Sequence, residues 1–126
     1  MAQDTKNFKV SEFACPCCGK NEINQQVIDM AQKIRTHIGV PVHINSGYRC
    51  AKHNAEVGGK ASSFHTKGLA ADLSCSKGAG ALFAVIADLK ARGELPELEY
   101  GIFYIRKNFV HIDCGTKRSI FFEVKP

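Results

Sequence analysis

Ser63-Phe64-His65-Thr66-Lys67-Gly68-Leu69-Ala70-Ala71-Asp72 is the stretch from which the rest of the chain can be read. It begins in a polar, glycine-containing loop and runs into Leu69–Cys75, a short apolar segment that reads as a buried strand. Asp72 stands in the middle of that segment, between Ala70-Ala71 and Leu73. An ionised carboxylate placed there needs a strong partner, and a metal ion is the most effective one. The second piece is Phe109-Val110-His111-Ile112-Asp113-Cys114, which also reads as a strand. Side chains alternate along a strand, so His111 and Asp113 share one face while Val110 and Ile112 take the other. Imidazole and carboxylate both suit Zn²⁺ at roughly 2.0–2.2 Å, and three protein ligands plus an open position is the arrangement of catalytic zinc. His65, Asp72 and one member of the His111/Asp113 pair would supply those three.

Outward from these two strands, the hydrophobic pattern supplies the remaining elements. Val27, Ile28, Met30, Ala31, Ile34 and Ile38 recur at helical spacing, predicting a helix over Asn24–Ile38 stopped by Gly39. Val42-His43-Ile44 reads as a strand ending at Asn45-Ser46-Gly47. Tyr48 to Lys67 reads as a long loop, and long loops in compact domains usually carry function. Gly80–Leu89 predicts a second helix with Leu82, Val85, Ile86 and Leu89 as its stripe. Tyr100–Ile105 and Phe109–Cys114 form two strands around a turn at Arg106-Lys107-Asn108, and Ile120–Val124 adds an edge strand. The fold class is α+β: a small, mainly antiparallel sheet with two helices on one face. Residues 1–23 are an irregular, cysteine-containing N-terminal segment of one domain spanning 1–126. Phe13, Phe83, Phe103 and Phe109 are assigned to the core, and Phe64 and Tyr48 to the walls of a groove.

Composition bounds the function. The 126 residues are 44% hydrophobic and 23% charged, ordinary for a globular protein. Length suits one core. No apolar run reaches the roughly 18–20 residues needed to cross a bilayer, so membrane insertion is not expected. The N-terminus lacks an apolar signal region, which predicts synthesis in the cytoplasm. Seventeen basic against 12 acidic residues give a formal charge of +5. Lys52, Lys60, Lys67, Arg106, Lys107, Lys117 and Arg118 are scattered rather than clustered, which suits a diffuse anionic partner better than nucleic acid. Three of the six cysteines lie in Cys15-Pro16-Cys17-Cys18-Gly19, while Cys50, Cys75 and Cys114 stand singly. The cluster offers half of a structural metal site, but no second C-x-x-C pair completes it. Reduced thiols packed near Cys50, or a disulfide formed after release from the cell, are the favoured readings.

The pattern Ser63-x-His65-x-x-Gly68-x-Ala70-x-Asp72, followed by Val110-His111-Ile112-Asp113, resembles the zinc D-Ala-D-Ala carboxypeptidase and endopeptidase family. The similarity is greatest to its short single-domain branch, found in phage endolysins and murein endopeptidases. Asn45-Ser46-Gly47-Tyr48-Arg49, then Asn54, Val57, Gly58 and Gly59, and the opening Ser11-Glu12-Phe13 with its cysteine-rich turn, resemble that branch too. Hedgehog signalling domains share the scaffold. The resemblance implies a Zn²⁺ cofactor, peptidoglycan stem peptides as substrate, a monomer, and action on the wall or periplasm after release if phage-encoded.

It also implies roles. His65 and Asp72 match the first two zinc ligands, and Arg49 matches an arginine placed to bind the substrate carbonyl or carboxylate and the oxyanion. Ser63 matches a supporting position, and Tyr48 is assigned to substrate binding beside it. For the third ligand two arrangements stay open: His111 as ligand with Asp113 as catalytic base, which a His-Asp-His triad favours, or Asp113 as ligand with His111 assisting. Relatives carry an acid three residues before the ligand, where this chain has Asn108; Glu99 is a weaker candidate base. The expected activity is hydrolysis by zinc-activated water, with no covalent intermediate and no cysteine nucleophile. The missing base at 108 sustains a second reading, a non-catalytic wall-binding or phage structural module. A nucleic-acid binder built on a cysteine zinc knuckle is a third, and it predicts strongly salt-dependent retention.

Overall fold

The computed structural model describes residues 2–115 and 122–126. The first helix, α1 (Gln25–Ile38), begins where the Asn24 side chain accepts from the Gln26 amide, and it ends at Gly39 in the left-handed conformation. Its six apolar stripe residues, from Val27 to Ile38, are all buried. After β1 (Val42–Ser46) the chain does not stay irregular, as the polar composition of 48–67 suggests. It forms a short helix, α2 (Ala51–Glu56), and a 3₁₀ turn at Phe64–Lys67. Neither has an apolar stripe, so periodicity could not have found them. A further 3₁₀ turn, Val10–Phe13, orders part of the N-terminal segment and buries Phe13.

β2 (Ala70–Cys75), α3 (Ala79–Ala91), β3 (Tyr100–Tyr104) and β4 (Phe109–Asp113) follow closely the predicted positions. The last strand, β5, is Phe122–Lys125; Ile120 of the expected edge strand, with Lys117 and Arg118, lies outside the described residues. The sheet order is β1-β2-β4-β3-β5, antiparallel except for the β3–β5 pair, which is parallel. This is the α+β class, with a third, short helix added.

Register divides the sheet into two chemically distinct faces. Leu73 pairs with Val110 and Ala71 with Ile112, and these fully buried side chains meet α1 and α3 through Ile34, Leu82 and Ile86 in the core. Each of the larger ones, Leu73, Val110 and Ile112, contributes about 1.5–3 kcal/mol by leaving water. The opposite face carries Asp72 beside His111 and Ala70 beside Asp113. On the next strand Ile102 neighbours His111 and Tyr100 neighbours Asp113, and Glu123 on β5 continues the row past Ile102. The apolar face holds the sheet rigid, and the polar face is thereby a fixed platform. Phe109 belongs to this second face, stacked on Tyr104 with ring centroids 4.7 Å apart, and not to the core. Alternation from Val110 requires it.

Candidate metal centre

Three segments bring the polar face together. The 3₁₀ turn that carries His65 is capped by Ser63, whose Oγ accepts from the His65 amide at 3.2 Å. It is closed by Gly68 with φ of 72°. A Cβ at Gly68 would lie 1.9 Å from the Glu22 carbonyl oxygen, so no other residue lets the turn approach the N-terminal segment so closely. His65 Nδ1 lies 2.8 Å from the Gly47 carbonyl oxygen. A carbonyl only accepts, so Nδ1 carries the proton and the Nε2 lone pair is left for a cation. That Nε2 faces Asp72 Oδ1 at 3.3 Å.

From β4, His111 Nδ1 faces the same Oδ1 atom at 3.0 Å, and its Nε2 meets Asp113 Oδ2 at 2.9 Å. The two imidazole rings lie 5.2 Å apart. Asp113 is 1% exposed, so its carboxylate is committed to the protein interior and to His111. Arg49 closes the far side of Asp72. Its Nη2 donates to Asp72 Oδ2 at 3.2 Å, its Nε to Ser46 Oγ at 2.9 Å and its Nη1 to Asn54 Oδ1 at 3.2 Å. Buried Asn54 is itself held by donating to the Lys60 carbonyl at 2.8 Å. Guanidinium has five N–H groups, so these bonds leave two for a ligand.

The electrostatics follow. Burial opposes charge on Asp72, but hydrogen bonds from His111 and His65, with their charge, outweigh it and hold the carboxyl well below the usual carboxylate range. Burial also opposes charge on His111, and the hydrogen bonds to Asp113 and Asp72 overcome it, raising the imidazole to about 9. The centre is thus built to gather positive charge around one buried carboxylate.

The donor geometry tests whether a zinc ion suits the place. His65, Asp72 and His111 each offer one donor atom, and these lie within 4.8 Å of one another. The two spacings about Asp72 Oδ1, 3.0 and 3.3 Å, match the edges of a tetrahedron, about 3.3 Å for ligand bonds near 2.0–2.1 Å. Asp113 behind His111 completes a carboxylate–histidine pair of the kind that fixes the tautomer of a metal-bound imidazole. Nitrogen and oxygen donors in this set fit zinc.

The family model for peptidase M15 matches residues 6–113. The chain belongs to the M15 peptidase family. No curated protein matches it. M15 peptidases are zinc-dependent, and the His65, Asp72 and His111 set is a donor group suited to that ion.

His65, Asp72 and His111 line an open groove of about 570 Å³. Arg49, Ser63 and Phe64 line it, as the sequence predicts. Tyr48 does not line it: the ring is buried, and burial and the hydrogen bond with Glu22 push its hydroxyl up to about 12. His53 lies on α2 near Cys17 and Glu56, and Glu99 is not among the residues lining the groove. The groove gains Tyr100 and Glu123, whose hydroxyl and carboxylate are hydrogen-bonded, and which no motif singled out. Their signal was register alone: both are on the face of His111, on strands β3 and β5. Ser46 and Asn54 belonged to the quoted pattern, but their task of gripping Arg49 is visible only in three dimensions.

Proposed function

We propose that this M15 chain is a zinc peptidase that hydrolyses peptide bonds in bacterial peptidoglycan. The observation that carries the proposal is the convergence of His65 Nε2 and His111 Nδ1 on Asp72 Oδ1, at 3.3 and 3.0 Å, in the lining of an open groove. A zinc ion held there supplies a Lewis acid that activates water near neutral pH and polarises the scissile carbonyl. The chain's own groups do the rest. His65 is presented as the Nδ1–H tautomer by the Gly47 carbonyl, and His111 as the Nε2–H tautomer by Asp113. Asp113 acts through His111, as a positioning residue. Arg49, fixed by Ser46, Asn54 and Asp72, directs its two remaining N–H groups to the substrate carboxylate or the oxyanion, where one lost donor costs about 3–4 kcal/mol.

The groove walls favour an anionic peptide. Lys60, Lys107 and Lys125 join Arg49 along it, and peptidoglycan stems end in free carboxylates. The release of defined muropeptide products, read by mass spectrometry, tests the proposal: zinc-loaded protein should cleave and His65→Ala should not. If neither cleaves any stem bond or cross-link, the enzyme reading fails.

One observation favours a second reading, a wall-binding module that keeps the scaffold without turnover. Asn108, at the position where the resemblance expects an acid, has φ of 55° in the β3–β4 turn, and its Oδ1 accepts from the Ala79 amide at 2.9 Å. It serves the turn and α3, not the groove. That reading predicts co-sedimentation with sacculi and no released product.

A further inference from the structure

Four of the six cysteines, none of which the chemistry above uses, come together at one place. Cys15, Cys17 and Cys18 lie on the N-terminal turn, and Cys50 stands directly before α2. Sγ separations are 3.6 Å for Cys15–Cys17, 3.6 Å for Cys15–Cys50 and 3.3 Å for Cys17–Cys50, and all four sulfurs lie within 4.8 Å of one another. A disulfide would need about 2.05 Å. A tetrahedral zinc with Zn–S bonds near 2.3 Å would set sulfurs about 3.8 Å apart. Burial of small apolar side chains does not account for the cluster, because Cys17 and Cys18 are exposed.

Hydrogen bonding sets these sulfurs apart from the other two. Cys75 and Cys114 donate to backbone carbonyls, of Gly78 and Leu69, as ordinary thiols do. Cys15 and Cys50 sulfurs instead accept from backbone amides, from Cys50 N at 3.5 Å and His53 N at 3.4 Å. N–H groups aimed at sulfur are what a thiolate ligand requires around it. The turn itself is tightly held: the Gly19 amide donates to the Cys15 carbonyl and the Cys15 amide to the Lys20 carbonyl, both at 2.8 Å, with Gly19 at φ of 72°. Three sulfurs are thereby presented toward a fourth, about 30 residues further along the chain.

We propose that Cys15, Cys17, Cys18 and Cys50 form a second metal site, a four-thiolate site for zinc that is structural in role. Four soft donors with no open position select a thiophilic ion and close the coordination shell, unlike the His-Asp-His centre. Binding exchanges the thiol protons for the cation and needs no oxidant. The neighbouring group Cys17, His53 and Glu56 is the poorer set, with a single sulfur and no buried member. The site clamps the N-terminal segment to the residues that build the groove. Beside it the Tyr48 amide donates to the Phe13 carbonyl at 2.8 Å, and a Cβ at Gly47 would fall 2.6 Å from that same oxygen. Gly47 orients His65, and Arg49 immediately precedes Cys50. The cysteine site therefore holds in place the backbone that presents both groups.

Metal content of the full chain, purified under reducing conditions and equilibrated with zinc, tests this by native mass spectrometry. About two equivalents per chain are expected, falling to about one in Cys18→Ser and to about one in His65→Ala. Cobalt in place of zinc gives a readout that does not depend on a cysteine variant folding. Intense thiolate-to-cobalt charge-transfer absorption is expected in the unaltered chain and should persist in His65→Ala. The same absorption missing from both proteins overturns the proposal. So does a single zinc that is lost in His65→Ala and retained in Cys18→Ser, or a Cys17–Cys50 disulfide in the reduced preparation. Failure of the groove centre alone leaves the cobalt–thiolate signal intact, which separates the two sites.

Discussion

Replacing Asp113 by asparagine separates two jobs that one carboxylate beside a metal-bound histidine can do. In the structure Asp113 Oδ2 sits 2.9 Å from His111 Nε2, and the residue is 1% exposed. The Asp113→Asn change keeps the side-chain volume but removes the charge. The new amide could also turn its NH₂ toward Nε2, which would place the imidazole proton on Nδ1, the atom that faces Asp72. A hydrogen bond to a charged group contributes about 1.5–3 kcal/mol. Loss of a partner behind a metal-bound histidine typically weakens metal binding or activity by about 10–100-fold, or about 1.4–2.8 kcal/mol. The two scales agree, so Asp113→Asn should bind zinc about 10–100-fold more weakly in competition with a chromophoric chelator, and saturating zinc should restore most turnover. A proton acceptor in the reaction behaves differently: kcat at saturating zinc falls by about 10²–10⁴ while metal affinity stays put. That second outcome would refute the positioning role and make Asp113 the base.

Four further outcomes follow from the same geometry. His65→Ala removes one of three ligands to the groove metal, and equilibrium dialysis should show that zinc lost, with no product released from sacculi. Arg49→Lys cannot keep Ser46, Asn54 and Asp72 engaged while presenting two further donors, so kcat/KM on a muropeptide should fall about 10²-fold or more; a change under about threefold contradicts its role. The folded-state pKa of His111 is raised to about 9 from an ordinary 6.5. In the metal-free protein its contribution, on the order of 3 kcal/mol at most, is therefore full below about pH 6.5 and is lost as pH rises through 9. Zinc affinity should run the opposite way, rising about tenfold per pH unit across that window as the proton is displaced; flat affinity between pH 6.5 and 9 would mean His111 is neutral in the metal-free protein. Gly68→Ala meets both a left-handed φ and the Glu22 carbonyl at 1.9 Å, whereas Gly58→Ala has a similar φ of 76° and open space. Thermal melts should show the first destabilised well beyond the second, for which about 1–2 kcal/mol is expected.

What could be read before folding was whatever depends on period. The stripe of α1, the alternation of β4 and the buried run of β2 each state a face, and together they bring Asp72 and His111 to one side of a sheet. Loop conformation has no period. The 48–67 segment hides α2 and the turn that presents His65, because what shapes them is capping by Cys50 and Ser63 and the close approaches allowed by Gly68 and Gly47. The parallel pairing of β5 was equally silent, so Glu123 in the groove went unnoticed. The cysteines make the point most directly. Spacing rules look for a second C-x-x-C pair, and none exists in this sequence. The structure answers with a lone Cys50, carried to the cluster by β1 and held there by the Phe13–Tyr48 backbone bond. A ligand contributed from far along the chain leaves no local signature, since its position is set by sheet register and not by its neighbours. The groove centre shows the same logic: its three candidate ligands come from a capped turn and two strands, and Asp113, hydrogen-bonded to the third, is recognisable only once His111 has a direction to point.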